Sequence, residues 1–230
     1  MLEDPPTHHE DPRSPEAWSD FIARELSGTR KAYLAKPDFL LGHSRAERQT
    51  TADYAGRELL ELVQNAADAA AEVDRPGRVL IEVSSNCLYV ANTGQPFRSG
   101  GVTSLMTAHT SDKPIRTARM IGAKGLGFRA ILNWTDTPLI SSGALELGFS
   151  QRHAATQVSD LARQSPNLAL KLSRAKSERP PLLVFPAIGA DLEDNLDPDT
   201  AAVLHHVRNL RSEGYDTVVA VPFRDGGAAE

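Results

Sequence analysis

The sequence predicts an α+β protein in which helices cover a sheet of short, mostly hairpin-paired strands. Three observations carry this. Residues 56–70, GRELLELVQNAADAA, space their apolar residues at helical intervals, with Leu59, Leu62, Val63, Ala66, Ala69 and Ala70 on one side. GRVLIEVS (77–84) and NCLYVAN (86–92) read as two short strands joined by a tight turn near Ser85 and Asn86. PLISSG (138–143) and LELGFS (145–150) read as a second strand pair.

The remaining elements follow from local signals. Residues 1–13, MLEDPPTHHEDPR, are rich in Pro, His and acid and are expected to form a disordered tail. Residues 14–230 are expected to form one domain. Ser14, Pro15 and Glu16 form a helix start, with Ser as N-cap and Pro at the first helical position. Trp18, Phe21, Ile22 and Leu26 continue at helical spacing toward Ala35, with a candidate break at Ser27 and Gly28. The central helix is expected from about Thr51 to Val73, ending before the Arg75-Pro76-Gly77 turn. Residues 93–120 read as a loop, and GLGFRAILNW opens a helix at about Gly125. QRHAATQVSDLARQ (151–164) is helical, PLLVFP (181–186) reads as a strand, and a helix near 198–212 leads to a last strand, TVVAVPF.

Composition sets broad bounds. The 230 residues carry a net charge of −5, so no global basic field draws the chain to nucleic acid or membranes. The single cysteine, Cys87, excludes an intrachain disulfide and a multi-cysteine zinc site. With no signal peptide and no apolar run of transmembrane length, the expected location is cytoplasmic.

Three segments carry candidate chemistry. On the central helix Glu61, Asn65 and Asp68 fall within a narrow arc, because i, i+4 and i+7 share a side. A carboxylate, an amide and a second carboxylate suit a magnesium–triphosphate site, although such a row also fits a solvated helix face. VANTGQPF (90–97) leaves a strand through Asn92, which can offer a donor and an acceptor to a base edge. Gly94 lacks a Cβ, so a flat ligand can approach its backbone, and N-T-G is equally a good turn. In IGAKGLGFRAI (121–131), Gly122, Gly125 and Gly127 precede an apolar helix. Exposed N–H groups and a helix N-terminus can hold a phosphate there, with Lys124 adding a full charge. The pattern is not a P-loop and does not follow the first strand of a βαβ unit.

The order of these boxes, E-x-x-x-N-x-x-D, then N-x-G, then G-x-x-G-x-G-F, resembles the GHKL ATPases: gyrase, the 90-kDa heat-shock chaperone, histidine kinases and MutL. Within that superfamily the segments look most like sacsin-type, chaperone-like ATP-binding domains. The resemblance covers residues 50–150 well and reaches loosely to 214–223. It implies a Bergerat-type two-layer sandwich with a mixed, mostly antiparallel sheet and helices on one face.

The resemblance also implies roles. Glu61 would deprotonate the attacking water, Asn65 would bind Mg²⁺, and Asp68 would be an acid close to the nucleotide. Gly94 would lie beside the adenine, and Gly122, Gly125 and Gly127, with Lys124 and Phe128, would wrap the phosphates. Thr217 resembles the strand threonine near the adenine, and Ser111 and Lys113 resemble residues of a mobile lid at 98–120. The superfamily usually has Asp where this chain has Asn92, so the base would be met by an amide oxygen without charge.

The expected activity is slow, Mg²⁺-dependent ATP hydrolysis that drives lid closure, with ATP and ADP as ligands. Many relatives complete the site with a cation from a following domain. The chain is therefore expected to be either a piece of a longer protein or a stand-alone module that works with a protein partner. A nucleotide-dependent homodimer is a further expectation, and no membrane or direct nucleic-acid contact is indicated. Two alternatives stay open: a non-catalytic ATP-sensing or protein-interaction module, and a histidine kinase catalytic domain. His205 and His206 in LHHVRNLR would bear on the second.

Overall fold

A computed structural model describes residues 11–107, 127–175, 178–194 and 198–224. Their elements run α1 (Pro15–Ala35), α2 (Asp38–Asp53), α3 (Glu58–Ala71), β1 (Val79–Val83), β2 (Cys87–Asn92) and α4 (Ser99–Met106). A 3₁₀ helix (Gly127–Asn133), β3 (Leu139–Ser142), β4 (Leu145–Gly148), α5 (Gln151–Gln164) and α6 (Pro166–Arg174) follow. The last are α7 (Ala190–Asp194), α8 (Pro198–Ser212) and β5 (Thr217–Pro222).

The strands form one sheet in the order β1-β2-β5-β3-β4, and every described pairing is antiparallel. The α+β class therefore holds, and the expected mixed sheet does not. Period-2 alternation divides the central strands between two cores. Leu88, Val90, Val219 and Val221 face one cluster with α1, α2 and α5, to which α3 adds Leu62. Tyr89, Ala91, Val218 and Ala220 face a second cluster closed by Val203, Leu204, Val207 and Leu210 of α8. Helices thus cover both faces, which corrects the two-layer arrangement. The physical reason is that β2 and β5 are apolar on both sides, and an apolar face of that kind is stabilised by removal from water.

Several boundaries differ from those expected. The helix foreseen over 51–73 is broken in two. Gly56 adopts a φ of +80°, and the carboxylate of buried Glu58 accepts hydrogen bonds from the Gly56 N–H at 3.1 Å and Asn133 Nδ2 at 2.9 Å. Helix α1, capped by Ser14 Oγ on the Ala17 N–H, runs through Gly28 unbroken because buried Trp18, Ile22 and Tyr33 hold both ends. PLLVFP is buried but is not a strand. Its Leu182 and Leu183 N–H groups donate to the buried Glu47 carboxylate at 2.6 and 2.9 Å. Only Ala187 bridges to the sheet, at Gly148. The helix expected at Gly125 is a 3₁₀ helix buried from Gly127 to Leu132.

Part of the expected lid is packed structure. Residues Ser99–Met106 form α4, with Val102, Leu105 and Met106 buried. Its last carbonyls are gathered by buried Arg129, whose Nη2 donates to Leu105 O at 2.8 Å and Thr107 O at 3.0 Å. Its first turn is capped by Asp11, whose Oδ1 accepts from the Ser99 N–H at 2.8 Å and the Ser99 hydroxyl at 2.6 Å. Asp11 was expected within a disordered tail. Among the described residues no helix is long and apolar enough to cross a membrane.

Two glycines give opposite predictions. A Cβ on Gly94, at φ +148°, would lie 2.5 Å from the backbone oxygen of Ala69 in α3. Gly94→Ala should cost on the order of 3 kcal/mol in chemical denaturation, from strain and overpacking together. Gly28 has nothing within 4 Å of its would-be Cβ, so Gly28→Ala should stabilise by about 0.5–1 kcal/mol. Equal effects of the two changes would contradict the packing described.

Candidate functional site

Helix α3 packs against β2 and β1, beside the exit of β2. Gln95 N–H donates to Ala69 O at 2.9 Å, and Gly94 meets the same carbonyl. Beneath and beside α3 a cavity of about 990 Å³ opens, walled by Leu62, Ala66, Leu105, Phe128, Val90 and Val219. At its floor the strand pattern turns from apolar to polar. Asn92 stands opposite Thr217 in register, as Val90 does opposite Val219. Both polar side chains are buried, at 5% and 4% exposure.

The floor is a connected polar row. Thr217 Oγ1 and Ser142 Oγ lie 2.6 Å apart, and Ser142 Oγ also accepts from the Phe97 N–H at 2.9 Å. Asn92 makes only a long bond, from Nδ2 to Thr93 O at 3.4 Å. Its amide oxygen therefore has no described protein partner and can meet a ligand that lines the cavity floor.

Asn65 and Asp68 of α3 line the same cavity, as does Phe128 from the start of the 3₁₀ helix. So the structure brings together Asn65, Asp68, Asn92, Phe128 and Thr217 from four separate elements. Glu61 does not line this cavity. Its carboxylate packs against Gly127, where a Cβ would fall 1.9 Å from Oε2, and its Oε1 is 3.9 Å from Arg57 Nη2. Gly94 is not a lining residue either. Glycine is required there by the approach of α3, rather than by room for a ligand. Ser111, Lys113, Gly122, Lys124 and Gly125 lie outside the described residues.

The expected apolar side of α3 also needs correction. Leu62 and Ala66 are buried, but Leu59 is exposed. Because Leu62 and Ala66 border Asn65 and Asp68 around the same cavity, the polar row and the apolar stripe share one working face.

Several contributors carried no sequence signal. Asp11, Arg98 and Ser99 line the mouth, and Arg98 Nη2 pairs with Glu72 Oε2 at 3.1 Å. Burial opposes ionisation of Asp11, but the Ser99 hydroxyl and N–H, with the Arg98 charge, outweigh it and hold the carboxyl below its usual range. Ser142 was visible only as part of a strand.

A magnesium ion carried by a triphosphate needs one or two protein oxygens, its other positions being phosphate and water. Among the described residues no group of three or more His, Cys, Asp and Glu could hold a metal by itself. Asn65 with Asp68 nearby fits the first kind of site and not a protein-only metal cage.

No protein-family profile matches the chain, and a search of curated proteins finds no match.

The contact between Gly127 and Glu61 can be measured directly. Gly127→Ala should cost on the order of 1–3 kcal/mol by overpacking. In a Glu61→Ala background most of that cost should vanish, giving a coupling of at least about 1 kcal/mol. Additive effects in denaturation would mean that the two residues do not meet.

Proposed function

We propose that this chain is an ATP-binding module of the GHKL type, with a Bergerat-like site and slow, Mg²⁺-dependent hydrolysis. The observation that supports it most is the convergence of Asn65 and Asp68 with Asn92 and Thr217 on one cavity of about 990 Å³. Asn65, Asp68 and Asn92 come from the ordered sequence boxes and Thr217 from the looser resemblance at 214–223, and the cavity is at the large end of small-ligand sites. An antiparallel sheet with α3 packed against β2 and β1 agrees with the reading. Helix α8 on the opposite face is an addition to it.

In this reading the base lies on the floor. The Asn92 amide oxygen accepts from an exocyclic amino group, and Thr217 offers its hydroxyl, tied to Ser142, to the base or a bridging water. Apolar Val90, Val219, Leu62 and Ala66 exclude water from the ring faces. Asn65 would hold the metal, which would supply charge neutralisation at the phosphates. Asp68 would orient water in that shell. The 3₁₀ helix beginning at Gly127 would offer backbone N–H groups to the phosphates. Glu61 would act as the base toward the attacking water. Phosphoryl transfer asks little else of the protein than position and charge. ATP and Mg²⁺ are then the cofactors, and closure of the segment around Ser111 and Lys113 is the step a protein partner or second copy would read.

A second reading has one specific observation in its favour. Glu61 sits against Gly127 with Arg57 as its nearest cation, away from the cavity lining. A module that binds ATP without cleaving it, and signals its presence to a partner, would tolerate this. The histidine-kinase alternative has less to support it. His205 and His206 lie on α8, across the sheet from the cavity, and His206 is engaged by Glu82 at 2.9 Å and by the Tyr89 ring.

Two measurements on the same samples separate the readings. ATP–Mg²⁺ at a hundredfold excess over its Kd should stabilise the fold by about 2.7 kcal/mol. Glu61→Ala should keep that stabilisation and lower single-turnover hydrolysis by roughly 10²–10⁴-fold. Stabilisation without measurable turnover in either protein favours the sensing reading, and equal turnover in both removes Glu61 as the base. No stabilisation at millimolar nucleotide removes both.

A further inference from the structure

We propose that Asp216, which does not line the cavity, is the positioning residue that sets the base-recognition floor. The assignment rests on the nucleotide reading of that cavity. Asp216 immediately precedes Thr217, so its backbone fixes where β5 begins. Its N–H donates to Asn92 O at 2.9 Å, and its own carbonyl accepts from the Gly143 N–H at 3.0 Å. It therefore ties the end of β2 to the β3–β4 turn. Its side chain then reaches forward, and Oδ2 accepts from the Gly94 N–H at 2.8 Å. The two bonds to Asn92 and Gly94 grip the strand exit on either side of Thr93, as a pincer.

The grip acts on a place that needs one. Gly94 is held at φ +148°, and α3 leaves no room for a Cβ there. Glycine reaches that region without strain and has many other conformations open to it, so neighbouring contacts select this one. The Asn92 side chain makes no firm bond of its own, with only the 3.4 Å contact to Thr93 O. Its direction is thus set by its backbone, which Asp216 fixes from across the sheet. Asp216 consequently places both polar floor residues relative to each other, Asn92 through hydrogen bonds and Thr217 through the chain. Arg75 donates to the same Oδ2 and balances the charge from the solvent side. The bond from the Gly94 N–H is then charge-assisted, and such bonds are the stronger kind.

The prediction concerns recognition of the base and not of the phosphates. Isothermal titration of the full chain with ATP–Mg²⁺, adenosine and tripolyphosphate reads both. Asp216→Ala should weaken adenosine and ATP by about tenfold, the scale of one lost charge-assisted bond. Tripolyphosphate should bind Asp216→Ala and wild type within about twofold. Asp216→Asn keeps an oxygen for the Gly94 N–H and should restore adenosine binding to within about threefold of wild type. Equal loss toward tripolyphosphate would show general structural damage and overturn the assignment. So would equal loss in Asp216→Asn and Asp216→Ala, or no loss in either. A wild type that binds ATP while Asp216→Ala is unaffected overturns this assignment alone. A wild type that binds neither ATP nor adenosine removes the nucleotide reading and this assignment together.

Discussion

Helix α3 is held at two points where a neighbouring glycine lets it pack closely. Near its C-terminal end, Gly94 lies against Ala69 so closely that any Cβ would enter the helix backbone, and Gln95 N–H bonds the same carbonyl. Near its N-terminal end, Gly127 lies against the Glu61 side chain. A helix clamped at both ends can neither slide nor roll over the sheet. That fixes how far Asn65 and Asp68 stand from Asn92 and Thr217, and so fixes the dimensions of the cavity. At Gly94 the missing Cβ lets backbone meet backbone, at Gly127 it makes room for the Glu61 side chain, and close packing is what makes the geometry hold.

A second constraint lies beneath the mouth of the cavity. Arg129 is buried, and its guanidinium collects carbonyls at the end of α4. Glu47, equally buried, collects the N–H groups of Leu182 and Leu183. Burial pushes the Glu47 carboxyl up and the Arg129 guanidinium down, and each charge opposes the other's shift. Each group also satisfies backbone atoms that secondary structure leaves unpaired, which lowers the cost of burying a charge. Through them α2, α4, the 3₁₀ helix and the 182–185 turns form one connected interior.

Much of the fold was legible because local signals and tertiary packing agree. Ser14 and Pro15 begin α1, and short apolar runs bounded by turn residues reveal the strands β1 to β5. What failed to show in the sequence has specific causes. Helix α2 was missed because polar Ser44 and Glu47 occupy its buried face, interrupting the apolar period. Helix α6 repeats the Ser-Pro start of α1, at Ser165 and Pro166, but it is short and buries only Leu168, so it offers little apolar period to read. PLLVFP has the composition of a strand, but a distant carboxylate takes its N–H groups. At the site, the ordered boxes located the cavity-lining Asn65, Asp68, Asn92 and Phe128, and the looser resemblance around 214–223 located Thr217. They could not reveal Asp11 at Ser99 or Asp216 at Gly94, since these pairs are 88 and 122 residues apart. Gly94 illustrates the limit well. A glycine at a strand end suggests room for a ligand, whereas here it admits a helix.

The most direct test of the proposed nucleotide site is a crystal structure with Mg²⁺ and a non-hydrolysable ATP analogue. The expected density has the base on Asn92 and Thr217, between α3 and the ends of β2 and β5, with the metal at Asn65 and the phosphates toward Gly127. Density for the analogue elsewhere on the protein, or an empty cavity at saturating analogue, would contradict it.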